Sequence, residues 1–179
     1  MIHNAAEALR AARGGAISGA IAGGLLTTMM TGMSIVKGND VWYGIKGAAA
    51  PFLGNRALIP GFDALPVVLG LASHLVVSMA WGVLFGLAVF RLHKGATVAA
   101  GILFSFVVWA GMYFVVLPVV GLAHVAHEAP IERVIVYHLV FAVPLSVAFL
   151  PFQPRPGEKL VFKPRPRLQH TQVPMRRTG

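Results

Sequence analysis

Four long apolar runs dominate the chain, and the stretches between and around them carry all of the Asp, Glu, Lys and Arg residues. The runs are continuous and lack the spacing of a half-buried helix or strand, which is typical of membrane-spanning segments. Each reaches or approaches the roughly 20 residues that a helix needs to cross the hydrocarbon core. The pattern therefore predicts an all-α polytopic membrane protein, a four-transmembrane-helix bundle with spans near 15–36, 66–90, 95–121 and 134–151.

The remaining segments differ in character from the spans. Residues 1–14 form an Ala-rich amphipathic stretch that we expect at the cytoplasmic surface. Residues 37–65 form an outer loop, in which Trp42 and Tyr43 suit the membrane interface. Residues 152–179 form a basic tail rich in Pro and Arg, a composition typical of a segment that becomes ordered only on a partner. One transmembrane domain, 15–151, therefore has a cytoplasmic segment at each end.

The distribution of Lys and Arg predicts the orientation. Positive charge gathers before the first span, in the turn between the second and third spans, and in the tail. These three places must share one side of the membrane, and the positive-inside rule assigns that side to the cytoplasm. We therefore expect a multi-pass protein of a bacterial inner membrane with both termini in the cytoplasm.

Charge and composition limit the classes of function. The formal net charge is +9, but no motif that reads nucleic acid accompanies it. The expected targets of the tail are therefore anionic lipid or a protein partner, and not nucleic acid. Cysteine is absent, which excludes disulfides, iron–sulfur clusters and thiolate zinc sites. No P-loop, dinucleotide fingerprint or Ser–His–Asp arrangement occurs, so no catalytic residue is predicted.

Small residues recur at four-residue spacing in the first two spans. The two ladders are Gly15, Gly19 and Gly23 in the first span and Ser78, Gly82 and Gly86 in the second. Such ladders let helix backbones approach closely in a membrane. The predicted contact is either internal to the bundle or with a second copy or another subunit, and spacing alone does not separate these alternatives.

Two histidines lie inside the spans. His74 heads the ladder of the second span, and His138 heads a stripe with Ala142 and Ser146 in the fourth. Residues four apart share a helix face, so both imidazoles are predicted to point into the bundle. An ionisable group at that depth suggests function. Two facing imidazoles suit a b-type haem, copper, zinc or a hydrogen-bonded quinone, and the alternative is a purely structural hydrogen bond.

A second group of possible metal ligands lies before the fourth span. Its members, His124, His127, Glu128 and Glu132, have the spacing of ligands on one side of a helix. Pro130 argues against a helix that runs unbroken through all four, so a solvated interfacial loop is the alternative.

Three methionines, Met29, Met30 and Met33, lie near the outer end of the first span, at the depth of the span histidines. Thioethers suit copper(I), whereas Met is also an ordinary apolar filler. Copper(I) is therefore one of the candidate ions for this site.

The two halves of the chain resemble each other. His74-Leu75-Val76 matches His138-Leu139-Val140, and eleven positions after each histidine comes a phenylalanine, Phe85 or Phe149. The match predicts two tandem helical hairpins that run in the same sense, related by an axis along the membrane normal.

The Gly-rich first span with its TTMMTGM end and the second span, SHLVVSMAWGVLFG, resemble the small four-helix inner-membrane proteins of bacteria that consist of domains of unknown function. The resemblance covers about 15–150 and implies a location and a fold, without a reaction. The leading hypothesis is an accessory or anchoring subunit of a larger membrane complex, without catalysis of its own. The alternatives are a haem b or metal-binding redox or quinone-associated subunit that uses His74 and His138, and a small transporter or channel.

Overall fold

Long helices form where the sequence is apolar, and short helices fill the loop between the first two. The computed structural model describes residues 2–123, 131–155 and 158. These residues contain no strand, so the prediction of an all-α protein is confirmed. The α-helices are α1 (Ala5–Val36), α2 (Tyr43–Gly47), α3 (Ala50–Leu53), α4 (Ala64–Val89), α5 (Lys94–Gly111), α6 (Leu117–Val119) and α7 (Ile131–Phe149). A π-helical turn (Met112–Val116) joins α5 to α6, and 3-10 turns lie at Gly54–Leu58 and Leu150–Phe152.

Four helical segments are long and apolar enough to cross a membrane. They are Ala5–Val36, Ala64–Val89, Lys94–Val119 and Val134–Phe152. The prediction of a four-helix membrane bundle is therefore confirmed. Leu, Ile, Val and Phe side chains cover the outward faces of these helices, which is the surface that a lipid bilayer solvates.

Helix α1 begins well before the first apolar run. Asn4 caps it, because its side chain accepts a hydrogen bond from the backbone N–H of Glu7 at 2.9 Å. The helix then continues unbroken through Gly14 and Gly15. The amphipathic segment 1–14 is thus mostly the start of α1 and not a separate helix. Both glycines are buried against neighbouring elements, and this packing offsets their low helix propensity.

Helix α1 lies at the centre of the arrangement. It packs along α4 and along α7, and α5 packs on α7. Helices α4 and α5 follow each other through a tight turn but touch little. Consecutive helices thus pair as α1 with α4 and as α5 with α7, and α1 joins the two pairs by packing along α7 as well.

An aromatic cluster fills the place where the two hairpins meet. Phe85 of α4 and Phe149 of α7 are both fully buried, and their ring centroids lie 5.9 Å apart. Phe104 of α5 adds a third ring, 5.3 Å from that of Phe85. Phe85 and Phe149 are the phenylalanines that follow His74 and His138 in the repeat, so equivalent positions of the two halves pack against each other.

Candidate ligand site at His74

The floor of the candidate site is a backbone contact between α1 and α4. Gly15 faces the carbonyl oxygen of Gly82, and Gly19 faces that of Ser78, so closely that a Cβ atom on either glycine would collide with it. Gly86 meets the backbone of α1 in the same way. The two small-residue ladders of the sequence therefore lie against each other within one chain.

Next along the ladder, Gly23 makes room for the side chain of Ser78, since a Cβ atom on Gly23 would lie 2.5 Å from the Ser78 Oγ. The same Cβ atom would lie 3.9 Å from the Cε1 of His74, which is an ordinary contact distance. The imidazole of His74 therefore lies beside the last glycine of the ladder.

A chain of hydrogen bonds holds His74. Its Nδ1 lies 3.0 Å from the Oγ1 of Thr27, and the Thr27 hydroxyl donates to the Gly23 carbonyl oxygen at 2.9 Å. A hydroxyl has one proton, so a Thr27 hydroxyl that donates to Gly23 can only accept from the imidazole. This pair of contacts favours the tautomer of His74 that carries its ring proton on Nδ1, which leaves the lone pair on Nε2. No residue that the structure describes forms a hydrogen bond with Nε2.

His138 has different neighbours. Its Nδ1 donates to the carbonyl oxygen of Val134, one turn earlier in α7, at 2.7 Å. Its ring centroid lies 6.1 Å from that of Tyr113, which belongs to the π-helical turn after α5. Such turns are frequent at functional sites. His138 therefore faces the third span, whereas His74 faces α1.

The described residues show no contact between the two histidines, and helix packing fills the space beneath each of them. Beneath His74, the backbones of α1 and α4 touch. Beneath His138, a Cβ atom on Gly101 of α5 would lie 2.6 Å from the Cβ of Ser146. The haem site between the two imidazoles stays a prediction.

A partly open cavity of about 80 Å³ lies beside His74 and is lined by residues of α1, α2 and α4. One face of α1 supplies Thr27, Met30, Thr31 and Ser34 to its wall, at the spacing of one helix face. In the described part of the chain, the hydroxyls of Thr31 and Ser34 have no hydrogen-bond partner. The wall of the cavity therefore includes a histidine, a methionine and two residues whose hydroxyls are available.

Sequence reasoning noted the methionines at this depth but missed the two hydroxyls. Met30 lines the cavity, whereas Met33 is 39% exposed and neither it nor Met29 belongs to the wall. The signal for Thr31 and Ser34 was present, because they follow Thr27 by four and seven positions and so share its helix face.

The loop between α1 and α4 forms one wall of the cavity, and we call residues 37–63 the cap. Its helix α2 lies on α4, where a Cβ atom on Gly70 would collide with the carbonyl oxygen of Ile45. Ser73 of α4 donates to the carbonyl oxygen of Ala48 at 2.8 Å. The cap is thus fastened to the same two turns of α4 that carry His74.

A buried lysine holds the cap from within. Lys46 is fully buried, and its Nζ donates to the carbonyl oxygens of Ile59 and of Gly61, the latter at 2.6 Å. The carboxylate of Asp40 lies 3.7 Å from the same Nζ. Asp40 also accepts hydrogen bonds from the backbone N–H groups of Trp42 and Gly61, both at 3.0 Å. Sequence reasoning missed Lys46, because nothing in a loop sequence shows that a lysine points inward.

The hydrogen bonds to Asp40 also set its protonation. The Trp42 N–H is the main cause that holds the pKa of Asp40 below its ordinary value of 3.8, and the Gly61 N–H and the charge of Lys46 act in the same direction. The carboxylate is therefore ionised at neutral pH and compensates the buried ammonium group.

A second polar network closes the opposite end of the bundle. Glu7 is almost fully buried and forms a two-pronged ion pair with Arg91, with Nε to Oε2 at 3.1 Å. Arg10 pairs with Glu158 at 2.7 Å, and the side chain of Gln153 donates to carbonyl groups at the end of α4 and in the turn after it. The start of α1, the α4–α5 turn and the segment after α7 therefore lie together at one end.

The second group of predicted metal ligands falls mostly outside the described residues. Its members there are His124, His127 and Glu128. Glu132 is described and is exposed in the first turn of α7. Within the described ranges, no three or more His, Asp or Glu side chains are placed to share a metal ion. This metal site stays a prediction, and so does the role of the basic tail, which also lies outside the described residues except at 152–155 and 158.

The chain matches no protein-family model, no curated protein and no solved structure. Its function is therefore inferred from its own geometry.

Proposed function

We propose that this protein is a non-catalytic accessory subunit of a bacterial inner membrane, with both termini in the cytoplasm, and that it docks another integral membrane protein through the cap. The observation that carries the proposal is the contrast between the two sides of the cap. On its inner side, the buried Lys46 forms hydrogen bonds with carbonyl oxygens of the cap, whereas its outer side exposes large apolar residues.

The outer side of the cap is unusually apolar for an ordered loop. Tyr43, Phe52, Ile59 and Phe62 are each more than half exposed. Three fully or almost fully buried alanines of the cap nevertheless form a small core with leucines of the cap, of α4 and of the segment after α6. An ordered element that presents such side chains next to a membrane is typical of an interaction site.

Rigidity of the bundle supports an anchoring role. Backbone contact joins α1 to α4, and an ion-pair network ties the start of α1 to the α4–α5 turn and to the segment after α7. A partner that binds the cap is thereby attached to a body with few movable parts.

The shared end of the basic segments supports the proposed orientation. Arg10 and Arg91 lie at one end of the bundle, and the cap lies at the other. The positive-inside rule then places the cap on the outer side of the membrane.

Site-specific photo-crosslinking in native membranes tests the proposal. A photoreactive amino acid replaces Phe52 or Ile59 in the cap, and the matched control replaces Leu103 of α5, which is 69% exposed on the apolar surface of the bundle. We expect a discrete protein adduct of the same mass from both cap positions and only lipid adducts from position 103. Lipid adducts at all three positions, or a cap adduct of twice the mass of the chain, would contradict docking to another protein.

A metal-binding subunit is the second candidate. The free lone pair on His74 Nε2 beside a cavity favours it, and this function does not depend on docking.

A further inference from the structure

The cavity beside His74 has the donor atoms of a small metal site. We propose that it binds a soft monovalent metal ion, copper(I), through the Nε2 of His74 and the Sδ of Met30. Both side chains line the cavity, one from α4 and one from α1. The inference is independent of the proposed docking through the cap.

The hydrogen bonds of His74 prepare it to act as a ligand. A metal-binding histidine commonly donates its other ring N–H to an oxygen atom, which fixes the tautomer and the orientation of the ring. The Nδ1 of His74 lies 3.0 Å from the Thr27 hydroxyl, which is within reach of the Gly23 carbonyl oxygen, and this arrangement favours such a donation from Nδ1. The lone pair that remains on Nε2 is the one that a metal ion needs.

The remaining donors select the kind of ion. Thioether and imidazole ligands suit copper(I), whereas Mg²⁺ and Ca²⁺ require several oxygen ligands, chiefly carboxylates. Among the residues that the structure describes, no carboxylate lines the cavity. A neutral donor set at membrane depth leaves the charge of the ion uncompensated, and this costs less for one positive charge than for two.

The volume and surroundings of the cavity fit a hydrated site. About 80 Å³ holds an ion together with a few water molecules, since one water needs roughly 10–15 Å³ of such space. The hydroxyls of Thr31 and Ser34 are available to bind those waters. The buried charge of Lys46, next in sequence to the cavity residue Ile45, is compensated by Asp40 and two carbonyl oxygens.

Titration of the purified full-length protein with copper(I), under anaerobic reducing conditions and against a chromophoric competitor, tests the proposal. We expect one high-affinity equivalent. His74→Ala and Met30→Leu should each lower the affinity by at least about 10-fold, and Thr27→Val, which removes the hydroxyl behind the ligand, by about 10–100-fold. The matched controls His138→Ala and Met33→Leu should leave the affinity within about twofold of the wild-type value, because neither residue lines the cavity.

X-ray absorption of the copper-loaded wild-type protein gives a readout that does not depend on the folding of any variant. We expect both nitrogen and sulfur neighbours around the ion, and loss of the sulfur neighbour in Met30→Leu. The proposal is overturned if no equivalent binds tightly, if binding survives His74→Ala unchanged, or if the ion has no sulfur neighbour. Loss of binding in His138→Ala instead would assign the ion to the other span histidine and would equally overturn it.

Discussion

Gly19 of α1 and Ser78 of α4 meet so closely that the Ser78 carbonyl oxygen stands where a Cβ atom on Gly19 would be. The same register places Gly15 against Gly82. This contact fixes how α4 lies on α1, and with it the position of His74 against Gly23 and Thr27. The packing of the first hairpin and the geometry of the candidate site are therefore one property of the fold.

Replacement of Gly19 by leucine should separate the first hairpin. A side chain at this position meets helix backbone, which cannot move aside as a flexible side chain does, so we expect a loss of at least about 1–3 kcal/mol in the free energy of unfolding. Gly24→Leu is the matched control, because no atom lies within 4 Å of a Cβ atom there. Unfolding in mixed micelles with a denaturing detergent measures both variants. Equal destabilisation by the two leucines would show that the close contact is not required.

Replacement of Lys46 by methionine should loosen the cap and leave the spans in place. The change removes the donor that joins the carbonyl oxygens of Ile59 and Gly61 and takes the cation away from Asp40. Hydrogen exchange followed by mass spectrometry should report faster exchange across 40–62 and little change in α1. Lys37→Met, at an exposed position before the cap helices, is the control and should exchange like the wild type.

The stability of the cap should fall only in acid. The pKa of Asp40 is lower in the folded protein than its ordinary value of 3.8, so this carboxylate stabilises the fold above pH 3.8 and loses its contribution as the pH falls through the folded-state pKa. Asp63, whose pKa Arg56 lowers, adds to the loss in the same range. Amide protection of the cap, corrected for intrinsic exchange rates, should therefore stay constant from pH 7 to pH 5. Asp40→Asn should reduce the protection at neutral pH and flatten its acid dependence, whereas loss of wild-type protection between pH 7 and pH 5 would argue against this assignment.

The ion pair at the opposite end should hold the first turns of α1. Glu7→Gln leaves Arg91 without its charged partner, so we expect faster amide exchange in the first two turns of α1 and in the α4–α5 turn. Arg13→Gln removes an exposed charge from the same helix and should have little effect. Unchanged exchange in Glu7→Gln would show that capping by Asn4 holds this end without the ion pair.

Sequence alone predicted the spans because that property is local. A run of apolar residues long enough to cross the bilayer must satisfy its backbone hydrogen bonds as a helix, whatever its neighbours are. The spacing of Gly15 and Gly19 likewise predicted a close contact. The spacing did not predict which helix these glycines contact, because the choice of partner helix depends on the tertiary structure.

The neighbours of the two histidines could not be predicted for the same reason. Helical periodicity placed His74 and His138 on inward faces, but it carries no information about which helix each face meets. The structure sets one against α1 and the other beside Tyr113. Lys46 was equally out of reach, because the carbonyl oxygens that bind it come from residues 13 and 15 positions later in an irregular loop.

The mass of the complex that contains this protein in its native membrane tests the docking role most directly. Membrane patches extracted with a copolymer, without detergent, keep native complexes together, and native mass spectrometry then gives the mass of the particle that contains the chain. We predict a complex with a second, larger protein that is lost in Phe52→Glu and Ile59→Glu and kept in Leu103→Ala. A wild-type particle that holds only the chain and lipid would contradict the proposed role as an accessory subunit.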